Sequence, residues 1–123
     1  MNVAVIGASR DREKFGNKAV RAYHAHGHRV FPVNLREKEI EGLPAFRSIA
    51  EIHEPIDVLL VYVPPAVTLR LLPEIAKKRP GKLFLNPGSE DDAVVLRAAE
   101  LGLEPILACS IVAIGDSPAK YSS

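Results

Sequence analysis

Val3-Ala4-Val5-Ile6-Gly7-Ala8-Ser9-Arg10 is the stretch that decides the fold, with Asp11-Arg12-Glu13-Lys14-Phe15-Gly16-Asn17-Lys18-Ala19-Val20 directly behind it. Residues 3–6 are apolar and mostly β-branched, and they read as a buried strand that stops at a glycine. A helical pattern follows. A strand, a sharp glycine turn and a helix form the opening unit of a parallel α/β sheet. Such a unit aims loop amides and a helix N-terminus at one point, which is where a phosphate binds.

The rest of the chain repeats the alternation. Residues 18–26 read as a helix with Ala19, Ala22, Tyr23 and His26 near one face, and Gly27 follows where a left-handed residue closes a helix. Residues 29–33 read as a second strand ending at Asn34, and residues 48–52 as one or two helical turns before Pro55. The strongest strand signal spans residues 57–63, where Val58, Leu59, Leu60, Val61, Tyr62 and Val63 run unbroken. Pro64-Pro65 then opens a helix through about Lys78, with Pro73 inside it predicting a kink. Residues 82–85 form a fourth strand. Ser89-Glu90-Asp91-Asp92 resembles a helix N-cap with acids in the first turn, for a helix ending near Leu101 and Gly102. Residues 104–107 form a fifth strand, and the polar tail 116–123 is expected to be loose.

Strands that are apolar on both sides belong to a sheet covered on both faces, hence a parallel one. The expectation is a doubly wound, three-layer α/β fold with a five-stranded parallel sheet in the order 3-2-1-4-5. Ligands of such folds bind at the carboxyl ends of the strands, here near a switch point expected between strands one and four.

With 123 residues the chain is read as one domain, 1–123. Sixteen basic against fifteen acidic residues leave a net charge of +1, and with 6% aromatics this gives no sign of nucleic-acid binding. Its apolar stretches fall well short of the roughly 20 residues a membrane span needs. The chain enters a strand-like run directly, without a signal-peptide pattern, and its lone Cys109 allows no internal disulfide. The expected location is the cytoplasm.

The first loop fits neither common phosphate motif. A dinucleotide fingerprint needs G-x-G-x-x-G, but Gly7 is followed by Ala8 and Ser9, with the next glycine at Gly16. A G-x-x-x-x-G-K-[ST] loop is absent too. Gly7 would permit a sharp turn, Ala8 and Ser9 are small enough to leave amides open, and Arg10, Arg12 and Lys14 would add cations. After strand two an NAD site wants a carboxylate, whereas Asn34-Leu35-Arg36-Glu37-Lys38 starts neutral and turns basic. Arg36 and Lys38 suit an extra ribose phosphate, carried by NADP and by coenzyme A. A purely structural glycine turn also fits these residues.

Five pieces in order carry a resemblance: Val5-Ile6-Gly7-Ala8-Ser9; Val30-Phe31-Pro32-Val33-Asn34; Gly42-Leu43-Pro44-Ala45-Phe46 with Ser48-Ile49; Val61-Tyr62-Val63-Pro64-Pro65; and Ala99-Glu100-Leu101-Gly102-Leu103. The chain resembles the Rossmann-like coenzyme A-binding domain at the start of the succinyl-CoA synthetase α subunit, and more closely the small free-standing bacterial members of that superfamily. The resemblance implies that Gly7, Ala8 and Ser9 bind the phosphates, with Arg36 or Lys38 near the nucleotide. Tyr62, Val63, Pro64 and Pro65 would wall the adenine, and Asn86, Pro87, Gly88 and Ser89 would lie along the pantetheine arm. Arg10, Lys14, Asn17 and Asn34 complete the expected contact set. The synthetase also needs a phosphorylated histidine from a second domain. This chain has no room for one, so the resemblance implies binding without ligase chemistry. Many small relatives have arginine before and proline after the late cysteine, whereas Ala108-Cys109-Ser110 stands here.

Other residues invite chemistry and have plainer readings. His24, His26 and His28 straddle a helix end and should diverge rather than bind metal. Cys109 reads as a packed thiol, or as one facing the coenzyme's own thiol. Glu90, Asp91 and Asp92 suit a helix dipole. No catalytic constellation is apparent. The expected function is therefore non-covalent binding of coenzyme A or an acyl-CoA. The alternatives are an NADP-type dinucleotide or redox-sensing module, and a regulatory subunit responding to acyl-CoA.

Overall fold

The computed structural model describes residues 1–122. The elements run β1 (Asn2–Ile6), α1 (Phe15–Ala25), β2 (Arg29–Val33), β3 (Glu39–Ile40), β4 (Leu43–Pro44), a 3-10 turn (Ile49–Glu51), β5 (Val58–Val61), α2 (Pro65–Lys78), β6 (Lys82–Leu85), α3 (Asp92–Glu100), β7 (Ile106–Leu107), α4 (Ser110–Ala113) and a 3-10 turn (Pro118–Tyr121). Among the described residues no helix is long and apolar enough to cross a membrane.

Strands β1, β2, β5, β6 and β7 form one parallel sheet, and helices cover both faces as the apolar strands demand. Successive residues of each strand feed opposite cores. Ala4, Ile6, Leu59 and Val61 pack with Leu72, Ile75, Val94 and Ala98 of α2 and α3. Val3, Val5, Val58 and Leu60 pack with Ala19, Val20, Ala22 and Tyr23 of α1. The three-layer, Rossmann-like α/β architecture with five parallel strands is thus as expected.

The strand order is not. It is β2-β1-β5-β6-β7, which in the sheet's own count is 2-1-3-4-5 rather than 3-2-1-4-5. The central partner of β1 is β5, in register Val3↔Val58 to Ile6↔Val61, so the switch point lies between β1 and β5. Pro32 explains why β2 is an outer strand. Its carbonyl accepts from the Phe46 amide at 2.9 Å on the side away from β1, and its hydrogen-free nitrogen faces that side too. A full strand could not pair there. The short segment around Phe46 closes that edge instead, bridging to Val33 and accepting from the Asn34 amide at 2.9 Å.

Two smaller differences follow from local chemistry. The N-cap of α3 is Asp91, whose carboxylate accepts from the Val94 amide at 2.9 Å, rather than Ser89. The tail, expected to be loose, is tied down over its described part. The Tyr121 hydroxyl donates to Asp116 at 2.6 Å, His26 pairs with Asp116 at 3.0 Å, and Arg21 donates to the Tyr121 carbonyl at 2.6 Å. Ser123 lies outside the described residues. Pro73 sits on the exposed side of α2 and does not end it.

Candidate functional site

The loop from Gly7 to Lys14 joins β1 to α1 at the carboxyl edge of the sheet. Gly7 has φ +90°, and a Cβ on it would meet the Tyr62 backbone at 3.1 Å. Gly16, in the first turn of α1, is tighter still: a Cβ there would lie 2.1 Å from the Gly7 carbonyl oxygen. The start of α1 can therefore press onto the loop only because residue 16 has no side chain.

Three loop carbonyls in succession are turned into the protein. That of Gly7 abuts Gly16, that of Ala8 accepts from Asn34 Nδ2 at 2.9 Å, and that of Ser9 accepts from Asn17 Nδ2 at 2.8 Å. No peptide bond among the described residues is cis. In a trans peptide the N–H points opposite the preceding carbonyl, so the amides of Ala8, Ser9 and Arg10 face outward. They join the first amides of α1, at Phe15 and Gly16, which have no in-helix acceptor. Ser9 Oγ fixes the loop by accepting from the Asp11 amide at 3.0 Å, and Asp11 Oδ1 accepts from the Glu13 amide at 3.0 Å. Consecutive outward amides at a helix N-terminus make a cradle for an anion.

Clefts open on both sides of this loop. One, of about 670 Å³, is lined by Gly7, Ala8, Ser9, Lys14, Phe15, Gly16, Asn34, Tyr62, Val63, Pro64, Asn86, Pro87 and Cys109. A second, of about 510 Å³, lies towards β2, where Val33, Leu35, Val63, Val67 and Leu71 give apolar walls and Arg36, Arg47 and the carboxylate of Glu74 give charge. A third, of about 650 Å³, is polar and holds Arg10, Arg36 and Lys38 among Glu37, Glu39 and Glu41. There Arg10 lies 3.5 Å from Glu37, and the exposure of both keeps this pair weak.

The floor of the larger cleft is a buried polar hub. Ser110, fully buried, donates from both its amide (2.8 Å) and its hydroxyl (3.0 Å) to Asn86 Oδ1. Its hydroxyl is 2.7 Å from the Tyr62 hydroxyl, and its carbonyl accepts from the Tyr23 hydroxyl at 2.7 Å. Asn86 Nδ2 donates to the Val61 carbonyl at 3.1 Å. Burial pushes the Tyr23 phenol up to about 12 and the Tyr62 phenol higher. Both remain neutral donors.

Most expected contact residues converge. Gly7, Ala8, Ser9, Lys14, Asn34, Tyr62, Val63, Pro64, Asn86 and Pro87 line one cleft, and Arg10, Arg36 and Lys38 line its polar neighbour. Asn17 and Ser89 do not fit that role. Asn17 is fully buried, held by Ser9, Glu41 and Arg21, and Ser89 is buried with its hydroxyl on the Asn86 carbonyl. Pro65 is the first residue of α2, and Gly88, at φ +93°, turns the loop towards α3. Sequence reasoning did not anticipate Phe15, the close approach of Gly16, or the second cleft's Arg47, Val67 and Leu71. His26 and His28 diverge, one to Asp116 and the other onto the Tyr23 ring at 5.6 Å.

These features meet the requirements of an adenosine diphosphate ligand with a further phosphate and a long arm. The amide cradle suits the diphosphate, the apolar cleft a flat base, Arg36 the added phosphate, and the larger cleft the arm. The chain matches the family described as "CoA binding domain" over residues 1–115. It is 36% identical over 77 residues to the α subunit of acetate–CoA ligase (ADP-forming) II of Pyrococcus furiosus, covering 62% of this chain and 17% of that protein. Among solved structures, a conserved hypothetical protein of Pyrococcus furiosus shares 32% identity, covers 91% of this chain and 97% of its own, and superposes with a TM-score of 0.83. A Thermus thermophilus protein gives 31%, 93%, 87% and 0.84 for the same quantities.

Proposed function

The chain belongs to the CoA binding domain family, and from that premise we propose that it binds coenzyme A or an acyl-CoA non-covalently, with no ligase chemistry of its own. The observation that carries this reading is the succession of inward carbonyls at Gly7, Ala8 and Ser9, which leaves the next three amides outward beside the start of α1.

The diphosphate sits on that cradle. The adenine enters the apolar cleft between Val33 and Val67, and Arg36 reaches the 3′-phosphate. The arm follows the larger cleft past Tyr62 and Pro64, which thereby flank the arm rather than the adenine as the resemblance implied, towards Asn86, Pro87 and Cys109. Tyr62, Asn34 and Asn86 spend their polar atoms on Ser110, Ala8 and Val61, which supports holding over catalysis.

Thermal unfolding with coenzyme A, 3′-dephospho-CoA and NADP, each at 1 mM by design, tests the proposal. A ligand that binds only the folded state raises the melting temperature by mass action. Coenzyme A should give the largest rise. A larger rise with NADP would favour a dinucleotide module, and no rise with any of the three would remove the nucleotide reading.

A further inference from the structure

The sheet order sets the direction in which such a ligand must lie. The apolar cleft with Arg36 and Arg47 is on the β2 side of the loop, and the larger cleft runs the other way, past β5 and β6 to Cys109. With adenosine in the first and diphosphate on the loop between them, the thiol end points at Pro87 and Cys109. This inference rests on the coenzyme A reading of the same site.

That end of the cleft has few groups left to offer a charged ligand. Val63, Pro64 and Pro87 present carbon. Tyr62 and Asn86 are polar, but Ser110 takes the Tyr62 hydroxyl at 2.7 Å and donates twice to Asn86 Oδ1, while Asn86 Nδ2 is on the Val61 carbonyl. Among the described residues lining this cleft the charged side chain is Lys14, which stands at the loop end. A carboxylate pressed against such a wall loses water and meets no cation, only the second Nδ2 hydrogen of the nearly buried Asn86 and the weak Cys109 thiol donor, whereas a methyl group in its place loses nothing.

We propose that the cleft selects thioesters of neutral acyl groups over those whose acyl chain ends in a carboxylate, and that Ser110 is the positioning residue that sets this preference. It does so by engaging the Tyr62 hydroxyl and by fixing the Asn86 amide through Oδ1, which keeps Nδ2 turned onto the Val61 carbonyl. The acyl class is thus read by what the wall withholds.

Butyryl-CoA and succinyl-CoA carry four-carbon acyl groups that differ by a terminal methyl against a carboxylate, so they isolate the effect. Calorimetric titration of the full chain should place butyryl-CoA within about threefold of free coenzyme A and succinyl-CoA at least about tenfold weaker. In Pro87→Lys, an exposed loop position that tolerates a long side chain, the gap should close to about threefold. In Ser110→Ala the released Tyr62 hydroxyl should narrow it as well, with melting curves confirming the fold. Equal binding of the two thioesters by the unaltered protein, or an unchanged gap in Pro87→Lys, overturns the selectivity. Failure of free coenzyme A to bind would instead reject the parent reading.

Discussion

Gly16→Ala sets two physical effects against each other. In an ordinary helix the change stabilises by roughly 1 kcal/mol, because alanine loses less backbone entropy than glycine. Here the new Cβ would sit 2.1 Å from the Gly7 carbonyl oxygen, about 1.3 Å short of ordinary contact at 3.4 Å. The obstacle is backbone, so no rotamer change relieves it, and the loop and the first turn of α1 must separate. Overpacking of this kind costs about 1–3 kcal/mol. With the helix gain set against this cost the net loss is about 0–2 kcal/mol, which lowers the melting temperature by up to roughly 8 °C for a chain of this size. The same displacement moves the outward amides by about 1 Å, enough to break at least one charge-assisted hydrogen bond and weaken coenzyme A binding tenfold or more. Thermal melts and titration calorimetry read the two effects separately. A variant that melts higher than the parent, with affinity unchanged within about twofold, would refute the close-approach argument, since helix propensity alone predicts that rise.

Other perturbations address the remaining parts. Arg36→Ala should weaken coenzyme A by about 3–10-fold while changing 3′-dephospho-CoA by less than about twofold, read by calorimetry as a cycle of two proteins and two ligands. Equal losses for both would detach Arg36 from the 3′-phosphate. Ser9→Trp should fill the cleft mouth and abolish detectable coenzyme A binding with little change in melting temperature; retained binding would displace the ligand from the loop. Asp116 is held below the usual carboxylate range, first by the Tyr121 hydroxyl, then by the Ser117 amide, His26 and Lys120. Its unfolded form takes up a proton near pH 4 while the folded form stays ionised, so its contribution is complete above that point and fades in stronger acid. The melting-temperature gap between the parent and Asp116→Asn should therefore be flat from pH 7 to 5 and shrink below about pH 4. A gap that does not shrink would contradict the tail's anchoring through this carboxylate.

The layers of the fold were legible because burial on both faces leaves unbroken apolar strands, as in Val58 to Val61, and because Gly27 and Gly102 punctuate the helices. Strand order was harder, since such strands carry no mark of their neighbours. One mark did exist: Pro32 in the middle of β2 is incompatible with pairing on both sides, and read that way it places β2 at an edge. The hairpin of β3 and β4 escaped because two-residue strands have no period to detect. Its only signature is Glu41-Gly42, both at positive φ, as a tight hairpin turn requires.

At the site, residue type was legible and direction was not. Asn17 and Ser89 have ligand-like side chains, yet both are consumed in holding loops. Gly16 looked misplaced against a G-x-G-x-x-G pattern because the loop before it is longer. In space it serves the close helix–strand packing assigned to the last glycine of that fingerprint. The Ser110 hub joins residues up to 87 positions apart, a relation no local pattern encodes.

A crystal structure of the full chain soaked with coenzyme A tests the central claim most directly. Diphosphate density is expected within hydrogen-bonding distance of the Ala8, Ser9 and Arg10 amides, with adenine between Val33 and Val67 and the thiol end beside Pro87. Density for the diphosphate elsewhere on the molecule, or a diphosphate on the loop lying against side chains with those amides turned away, would contradict it.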